Sequence, residues 1–286
     1  IQENKESTMS QPYLHYLSNA GIILELGHLH IGIDLFTESA IPPYRPLPEN
    51  LRDDLITSRE SLQFLLATHR HGDHYCQKDV EAYLTRHPQC QALFPPLKPG
   101  APWTFYRGTP DVGGKKATVY AELSDKKIES LPQFSQLGQA FCAYFQPESH
   151  IAVYLLPSCH MGHSPEELPH LSILILWKGH SLFFSGDARP DRQLYESLRP
   201  YTSHLDILIA PFPCLSLKSA RKSLSSCFLP RQIYLVHLPD PSQDQYHWIS
   251  SVHKVCQTAE DSLPSPIYCE SPGQRYPLYS LWDSVN

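Results

Sequence analysis

Four side chains that could bind a metal ion lie within one short segment of the chain. Residues 69–74 read His-Arg-His-Gly-Asp-His and directly follow the apolar run 62–67. The apolar run predicts a buried strand, so the segment lies where the chain leaves the core. Alternate side chains of an extended segment point the same way, so His69 and His71 can reach one ion. Asp73 and His74 follow a flexible glycine and can turn toward a second ion.

The donor atoms of this segment limit the choice of metal without fixing it. Imidazole and carboxylate groups suit zinc, iron or manganese, and the mixture selects none of them. The alternative interpretation is a solvated loop that happens to be rich in histidine. Four ligand-type residues at this spacing favour the metal site.

The pattern His-x-His-x-Asp-His after an apolar strand resembles the signature of the metallo-β-lactamase superfamily. Members of that family share an α/β fold, a four-layer αββα sandwich with two mixed sheets. They usually hold one or two metal ions at the edge between the two sheets. The resemblance implies this fold and this kind of site here, provided that further ligands follow downstream in the right order.

Three downstream motifs supply such ligands. His163 stands in the Gly-His-Ser context of the third motif, although His160 and His170 lie near the same place. A hairpin of apolar strands ends at Asp187 and is similar to the motif whose aspartate bridges two metals. A late apolar strand ends at His237 and matches the last motif. The resemblance therefore implies two divalent ions, with zinc as the first choice and manganese or iron as alternatives. It implies that Asp187 bridges the two ions, that the first is held by His69, His71 and His163, and that the second is held by Asp73, His74 and His237.

This ligand set implies a metal-dependent hydrolase. Two cations that share one water lower its pKa to about 7, and the resulting metal-bridging hydroxide can attack an ester, lactone or phosphodiester bond. Asp73 is the candidate catalytic group that takes the proton. Tyr75, His170 and Arg189 stand beside the ligand motifs and are the candidate substrate contacts. The alternative is that Arg189 pairs with Asp191 and that Tyr75 packs in the core.

The remaining motifs resemble two different branches of the superfamily. The apolar strand 205–211, the helical stretch 219–224 and the turn 272–276 are similar to the branch of L-ascorbate-6-phosphate lactonase. Residues 185–190 read Ser-Gly-Asp-Ala-Arg-Pro and instead resemble ribonuclease Z. An acidic chain is a poor match for RNA, whose binding depends on phosphate contacts. The lactonase-like branch is therefore preferred, and a ribonuclease Z-like phosphodiesterase is the alternative.

A non-hydrolytic metal-binding or redox protein on the same fold is a further alternative. Di-iron members of the family usually replace the second histidine of the signature by glutamate, and His71 favours hydrolysis instead. The sequence contains no Gly-x-Ser-x-Gly nucleophile motif, which argues against covalent serine catalysis. The resemblance also implies that Asp34, at the end of an early strand, supports the metal-binding segment by hydrogen bonding.

Composition is that of an ordinary globular protein. The 286 residues are 41% hydrophobic and carry a net charge of −6, which gives no support for a nucleic-acid or anionic-membrane surface. No apolar run approaches the roughly 20 residues that span a bilayer. The eight cysteines show no paired spacing and are typical of reduced thiols, so a cytoplasmic location is expected. The expected partner is a small-molecule substrate, and an anionic group on it is one possibility. Binding to a membrane or to nucleic acid is not expected. The sequence does not predict the oligomeric state.

The chain is expected to form a single domain over residues 12–286, after a disordered or leader segment at 1–11. Prolines and glycines are concentrated in the middle of the chain and predict a loop-rich insertion at about 90–138, with a short hairpin at 117–123. Such a stretch beside a metal site is a candidate substrate lid, and a surface excursion without function is the alternative.

Overall fold

Alternation of apolar and polar side chains along the strands determines how this protein is layered. In the computed structural model, Ile22, Leu24 and Leu26 are buried while Ile23 and Glu25 between them are partly exposed. One face of such a strand therefore belongs to a core. The structure describes residues 11–38, 41–99, 101, 103–107, 119–123, 135–137, 140–146, 151–164 and 166–278.

The first sheet contains eight strands within the described residues. They are β1 (Tyr13–Tyr16), β2 (Ile22–Leu26), β3 (Leu29–Ile33), β4 (Phe64–Leu66), β5 (Gln91–Phe94), β6 (Trp103–Arg107), β7 (Val119–Leu123) and β16 (Arg275–Pro277). Their order across the sheet is β16-β1-β2-β3-β4-β5-β6-β7. The pairs β3–β4 and β4–β5 are parallel and the other pairs are antiparallel, so the sheet is mixed.

The second sheet has the same number of described strands and is also mixed. They are β8 (Ser135–Leu137), β9 (Ala140–Gln146), β10 (Ile151–Ser158), β11 (His170–Trp177), β12 (His180–Phe184), β13 (Ile207–Pro211), β14 (Gln232–Val236) and β15 (Ile267–Tyr268). They follow one another across the sheet in chain order. The strands from β12 to β15 are parallel neighbours, and those from β8 to β12 are antiparallel.

Helices cover the outer face of each sheet. The described helices are α1 (Glu49–Thr57), α2 (Gln77–Arg86), α3 (Arg192–Glu196), α4 (Pro213–Ser216), α5 (Lys218–Cys227) and α6 (Trp248–Thr258). One apolar cluster joins α2 to the first sheet, and another joins α3, α4, α5 and α6 to the second. The layers are therefore helix, sheet, sheet and helix, which confirms the predicted αββα sandwich.

The inner faces of the two sheets share one apolar core. Along β11, Leu171, Ile173 and Ile175 belong to this core, whereas Leu174 between them packs in the cluster with the helices. Full burial of one such aliphatic side chain contributes about 1.5–3 kcal/mol. A strand buried on both faces reads as a continuous apolar run, and this explains the sequence of β11.

The middle of the chain differs from its sequence prediction. Residues 90–138 were expected to form an irregular insertion with a hairpin at 117–123, yet four strands (β5, β6, β7 and β8) fall in this range and extend the two sheets. β7 pairs with β6, so its partner lies well before residue 117. The strand pairs β5–β6, β6–β7 and β8–β9 form here in spite of the prolines. Residues 1–10, where most of the predicted leader lies, and residues 108–118 and 124–134 of the expected insertion lie outside the described residues.

Among the described residues, no helix has the length and apolar character needed to cross a bilayer.

Candidate metal centre

Two groups of ligand-type side chains meet where strands of the two sheets end. Within each group, one donor atom from every member lies within 4.8 Å of the donor atoms of the others. The first group is His69, His71 and His160, and the second is Asp73, His74, Asp187 and His237.

Parallel strands explain why residues so distant in sequence come together. Segment 69–74 follows β4, Asp187 follows β12 and His237 follows β14. The carboxyl ends of parallel strands lie at one edge of a sheet, which is where α/β proteins usually place their sites. His160 comes from the connection between β10 and β11 at the same edge.

Asp187 lies between the two groups. Its Oδ2 is 3.2 Å from Nε2 of His237 and 3.3 Å from Nε2 of His74, both in the second group. The same oxygen is 3.7 Å from Nε2 of His160 in the first group. One oxygen of this second-group carboxylate therefore also lies near the first group.

The structure brings His160, and not His163, to the first group. His160 is buried, whereas the side chain of His163 is 42% exposed and lies 3.7 Å from the carboxylate of Glu167. The ring centroids of the two histidines are 5.1 Å apart, so His163 borders the group from the solvent side. In this geometric group His160 therefore stands where the sequence analysis expected His163.

Backbone contacts give the reason for this correction. His160 forms an isolated β-bridge with Ala188, which holds it beside Asp187. Two residues later Gly162 has a left-handed φ of 79° and turns the chain toward solvent before His163. The Gly-His-Ser context was the sequence signal for His163, but it marks the turn that carries this residue out of the group.

The tautomer of His69 follows from its neighbours. The hydroxyl of Thr68 donates its hydrogen to Oδ2 of Asp34 at 2.7 Å. It must therefore accept from Nδ1 of His69, which lies 3.0 Å away. The lone pair of His69 is consequently on Nε2, the nitrogen that lies 3.1 Å from Nδ1 of His71.

Asp34 supports the ligand segment, as the sequence predicted. Its buried carboxylate accepts hydrogen bonds from the amide of Thr68 at 2.7 Å and from Nδ1 of His74 at 2.8 Å. His160 is held in the same way, because its Nδ1 donates to the carbonyl oxygen of Met161 at 2.6 Å. In both rings Nε2 is left to face the centre, as a metal ligand requires.

Asn19 is a contributor that the sequence analysis missed. The side-chain NH2 group of Asn19 donates to Oδ2 of Asp73 at 3.0 Å. Its main-chain carbonyl oxygen accepts a hydrogen bond from the main-chain amide of His237 at 2.7 Å. His237 has a left-handed φ of 59°, a conformation that costs a non-glycine residue roughly 1–2 kcal/mol. The hydrogen bond to Asn19 helps to hold it there. A buried asparagine in a strand connection has no sequence signature.

Electrostatics of the second group are dominated by its carboxylates. Burial opposes protonation of both histidines, but the charges of Asp187 and Asp34 raise the pKa of His74 to about 10, and those of Asp187 and Asp73 raise the pKa of His237 to about 10. Burial also opposes ionisation of Asp73, yet the neighbouring His237 and His74 lower its pKa to about 2. This group is built to hold positive charge.

The first group has the opposite character. Burial lowers the pKa of His69 well below its usual value and also lowers that of His160. The nearby ring of His170 is buried too, and burial lowers its pKa to about 3. These histidines are neutral near pH 7, and neutral imidazole is the form that binds metals.

Two buried atoms of the centre, Nε2 of His160 and Oδ1 of Asp187, have no hydrogen-bond partner among the described residues. Nε2 of His74 and Nε2 of His237 contact only carboxylate oxygens, with Oδ2 of Asp187 at 3.3 and 3.2 Å. An unsatisfied buried polar atom costs about 1–3 kcal/mol, so two of them beside these imidazole–carboxylate contacts favour a bound cation. The residues therefore fit divalent metal ions, and nitrogen with carboxylate oxygen suits zinc, manganese or iron.

The three predicted substrate contacts have different environments. Tyr75 is buried beside Phe94, with the guanidinium of Arg70 4.9 Å from its ring centroid, so it offers no surface to a substrate. Arg189 is exposed and lies 3.2 Å from Asp191. His170 is buried and its ring centroid is 5.1 Å from that of His69.

Tyr44 lies against the centre, although no sequence motif marks it. Its ring centroid is 4.2 Å from that of His237, and the planes meet at 72°. Burial, followed by the charges of Asp187 and Asp73, raises the pKa of Tyr44 to about 12. The tyrosine is fixed by a β-bridge to Pro239.

A cleft of about 710 Å³ begins at Tyr44. Thr37, Glu38, Lys78 and Gln243 are among the residues that line it. Its volume falls in the range of small-molecule sites, about 300–1,000 Å³. Tyr44 therefore contacts His237 with its ring and also lines a cavity large enough for a substrate.

Comparison with known proteins finds similarity in three-dimensional structure and none in sequence. No protein-family model and no curated protein sequence matches this chain. Similar solved structures include Igni18, a metallo hydrolase from the archaeon Ignicoccus hospitalis, with 14% identity, a TM-score of 0.53 and coverage of 93% of this chain and 98% of that one. The metallo-β-lactamase fold protein YhfI from Bacillus subtilis has 12% identity, a TM-score of 0.51 and coverage of 93% and 99%.

A third similar structure is CmlA, a diiron β-hydroxylase from Streptomyces venezuelae. It has 14% identity and a TM-score of 0.55, and the match covers 95% of this chain but 55% of CmlA. At these identities the likeness establishes the fold. The chain has the metallo-β-lactamase fold, as the sequence predicted.

Proposed function

We propose that this protein is a metal-dependent hydrolase of the metallo-β-lactamase superfamily with two divalent cations in one centre. The observation that supports it most is the position of Asp187, whose Oδ2 is 3.2 Å from His237 and 3.7 Å from His160. One carboxylate that lies near two groups of imidazole nitrogens can bind two cations at once. The unsatisfied buried Nε2 of His160 and Oδ1 of Asp187 support the same conclusion.

The proposed ligands follow the geometry. Zinc is the first choice of metal, and manganese or iron accept the same donors. The first ion is assigned to His69, His71 and His160, the second to Asp73, His74 and His237, and Asp187 bridges them.

Bound cations would supply Lewis-acid chemistry, polarising the scissile group and making a water molecule more acidic. Asp73 is the proposed catalytic proton acceptor. Its carboxylate is ionised near pH 7, since its pKa is about 2, and Asn19 fixes one of its oxygens by a 3.0 Å hydrogen bond. The other oxygen is left to take a proton from the attacking water.

The proposed substrate is a small molecule with an ester, lactone or phosphodiester bond. The lactonase-like branch is supported by the sequence pattern that follows Asp187. A net charge of −6 argues against the ribonuclease Z-like alternative, because RNA binding needs basic surface. An anionic group on the substrate is part of the proposal, and it would displace Asp191, which lies 3.2 Å from the exposed guanidinium of Arg189. The seven cysteines whose side chains the structure describes are free thiols, which supports a reducing, cytoplasmic location.

Metal removal and reloading would test this proposal. The chelated protein is reloaded with zinc, manganese or iron and assayed with p-nitrophenyl esters, simple lactones and bis(p-nitrophenyl) phosphate. We expect turnover only after reloading, and its loss in Asp187→Ala but not in Asp53→Ala, a matched change of an acid that is 65% exposed. Two bound ions with no turnover of any substrate would reject the hydrolase.

An iron-dependent oxidative protein is the second candidate. The structural similarity to CmlA, a diiron enzyme, supports it, and the same donors accept iron. Reloading with iron and following oxygen uptake with a reductant separates the two candidates. A hydrolase consumes no oxygen.

A further inference from the structure

Three serines form a hydrogen-bond chain that ends on His170. Oγ of Ser158 lies 2.8 Å from Nδ1 of His170 and 3.0 Å from Oγ of Ser172. Oγ of Ser172 in turn donates to the carbonyl oxygen of Ser185 at 2.8 Å. Ser172 and Ser185 are fully buried, so water does not compete for the contact between them, and Ser158 is partly buried.

The number of available hydrogens fixes the direction of every contact in this chain. A carbonyl oxygen only accepts, so the single hydroxyl hydrogen of Ser172 goes to Ser185. Ser158 must then donate its own hydrogen to Ser172. Neither hydroxyl has a hydrogen left for His170, so Nδ1 of His170 carries a hydrogen and donates it to Ser158.

The other ring nitrogen of His170 therefore has a lone pair. The ring is 4% exposed and, among the described residues, forms no ion pair with a carboxylate, so it is neutral. Its Nε2 is buried and has no hydrogen-bond partner within the described part of the chain. A buried acceptor of this kind needs a donor.

This lone pair borders the metal centre. Nε2 lies 2.9 Å from the point where a Cβ on Gly186 would stand, directly before Asp187. The ring centroid of His170 is 5.1 Å from that of His69 and 5.5 Å from that of His160. His170 is nevertheless not one of the residues whose donor atoms converge in the first group.

We propose that His170 is a positioning residue whose Nε2 accepts a hydrogen bond from a water molecule held at the first group, His69, His71 and His160. The serine chain maintains the Nδ1–H tautomer that this role requires. The inference rests on the proposed function, because the water would be the one that attacks the substrate. It assigns a role to Ser158 and Ser172 as well, through His170.

Histidine NMR tests the tautomer without any substrate. Protein labelled with ¹⁵N-histidine and loaded with ¹¹³Cd is studied by two-bond ¹H–¹⁵N correlation, with His170 assigned from a His170→Gln variant. We expect a hydrogen on Nδ1 alone, no ¹¹³Cd coupling to Nε2, and an upfield shift of Nε2 on metal loading. Ser158→Ala should populate the Nε2–H tautomer, and Ser158→Thr, which keeps the hydroxyl, should not.

Three results would overturn the inference. A hydrogen on Nε2 of the unmodified protein would refute the tautomer, and ¹¹³Cd coupling to Nε2 would make His170 a ligand instead. An Nε2 resonance that does not move on metal loading would exclude the hydrogen bond. None of these results depends on turnover, so they are distinct from failure of the hydrolase proposal.

Kinetics add a second readout on any substrate that the protein hydrolyses. Loss of an interaction that orients the groups of a metal site typically costs about 10–100-fold. We expect Ser158→Ala to lower kcat by about that factor while KM and metal content stay unchanged, and Ser158→Thr to restore kcat. Equal kcat for Ser158→Ala and the unmodified protein would contradict the positioning role.

Discussion

Asp34 and His74 are joined by a hydrogen bond between two side chains that are fully buried beside the metal centre. Oδ2 of Asp34 lies 2.8 Å from Nδ1 of His74, and both side chains are 0% exposed. The same carboxylate accepts hydrogen bonds from the amide and the hydroxyl of Thr68. Asp34 therefore orients one ligand ring and also fixes the start of segment 69–74, which carries four of the proposed ligands.

Replacing Asp34 by alanine should weaken metal binding without removing a ligand. His74 would lose the partner that fixes its ring, and such partners typically contribute about 10–100-fold to metal affinity. We expect a loss of this size in a chelator-competition titration. Asp53→Ala, which removes an exposed acid, is the control and should leave affinity unchanged. Equal affinities for Asp34→Ala and the control would contradict the supporting role.

Alanine at His160 and at His163 should have different effects on metal content. His160 belongs to the buried first group, so His160→Ala should lose one of two ions. His163 is 42% exposed and contacts Glu167, so His163→Ala should keep both. Metal analysis of the dialysed proteins measures this directly. Loss of an ion in His163→Ala alone would restore the original sequence prediction.

Gly186 should tolerate no side chain. It has a left-handed φ of 54°, and a Cβ there would stand 2.7 Å from Cγ2 of Thr68 and 2.9 Å from Nε2 of His170. Gly179 has a similar φ of 84° but open space around it, and is the matched control. The left-handed conformation alone costs about 1–2 kcal/mol.

Both alanine variants should lower the free energy of unfolding in urea. Gly186→Ala should lose about 1–3 kcal/mol more than Gly179→Ala, because overpacking adds to the backbone cost. Equal losses would show that the neighbours of Gly186 can move aside.

Local patterns were sufficient to predict the fold and most of the candidate centre. Segment 69–74 carries four ligand types after an apolar strand, and the apolar run of β11 predicts a strand buried on both faces. Asp187 and His237 each end such a strand, so their place at one edge follows from strand direction. These signals are local and therefore visible in one sequence.

The sequence did not predict contacts that depend on backbone turns or on pairing between segments far apart in the chain. His160 and His163 are three residues apart, and only the φ of Gly162 and the bridge from His160 to Ala188 decide which one faces the centre. Tyr44 contacts His237 although about two thirds of the chain lies between them. The strands within 90–138 depend on pairing with the sheet edges, which local proline content does not reveal.

Metal binding should release protons and become tighter as pH rises. In the metal-free protein the pKa values of His74 and His237 are about 10, so both rings are protonated at pH 7. A cation must displace these protons, and competition weakens as the pH approaches 10. Titration with zinc in weak buffer and a pH indicator at pH 7 should show net proton release. Its absence would mean that the rings are already neutral.

The same shift predicts how stability of the metal-free protein depends on pH. Both folded-state pKa values lie above the ordinary 6.5, so the contribution is complete below pH 6.5 and is lost as the pH rises through 10. Urea unfolding of the metal-free protein should therefore give a falling stability over this range. Loading with metal should remove most of the trend, because the rings no longer carry protons.

Removing the hydroxyl of Tyr44 should affect turnover more than metal binding. Tyr44→Phe keeps the ring, whose centroid lies 4.2 Å from that of His237, so both ions should remain. The phenol borders the cleft and has Asp187 and Asp73 nearby, where it can donate a hydrogen bond to substrate. One hydrogen bond is worth about 0.5–1.5 kcal/mol, so kcat/KM should fall by about 2–10-fold.

Tyr246→Phe, at an exposed tyrosine stacked on Trp248, is the control and should show no change. If Tyr44→Phe retained full kcat/KM on every substrate hydrolysed, the hydroxyl would have no part in substrate binding, and the ring alone would matter through its contact with His237.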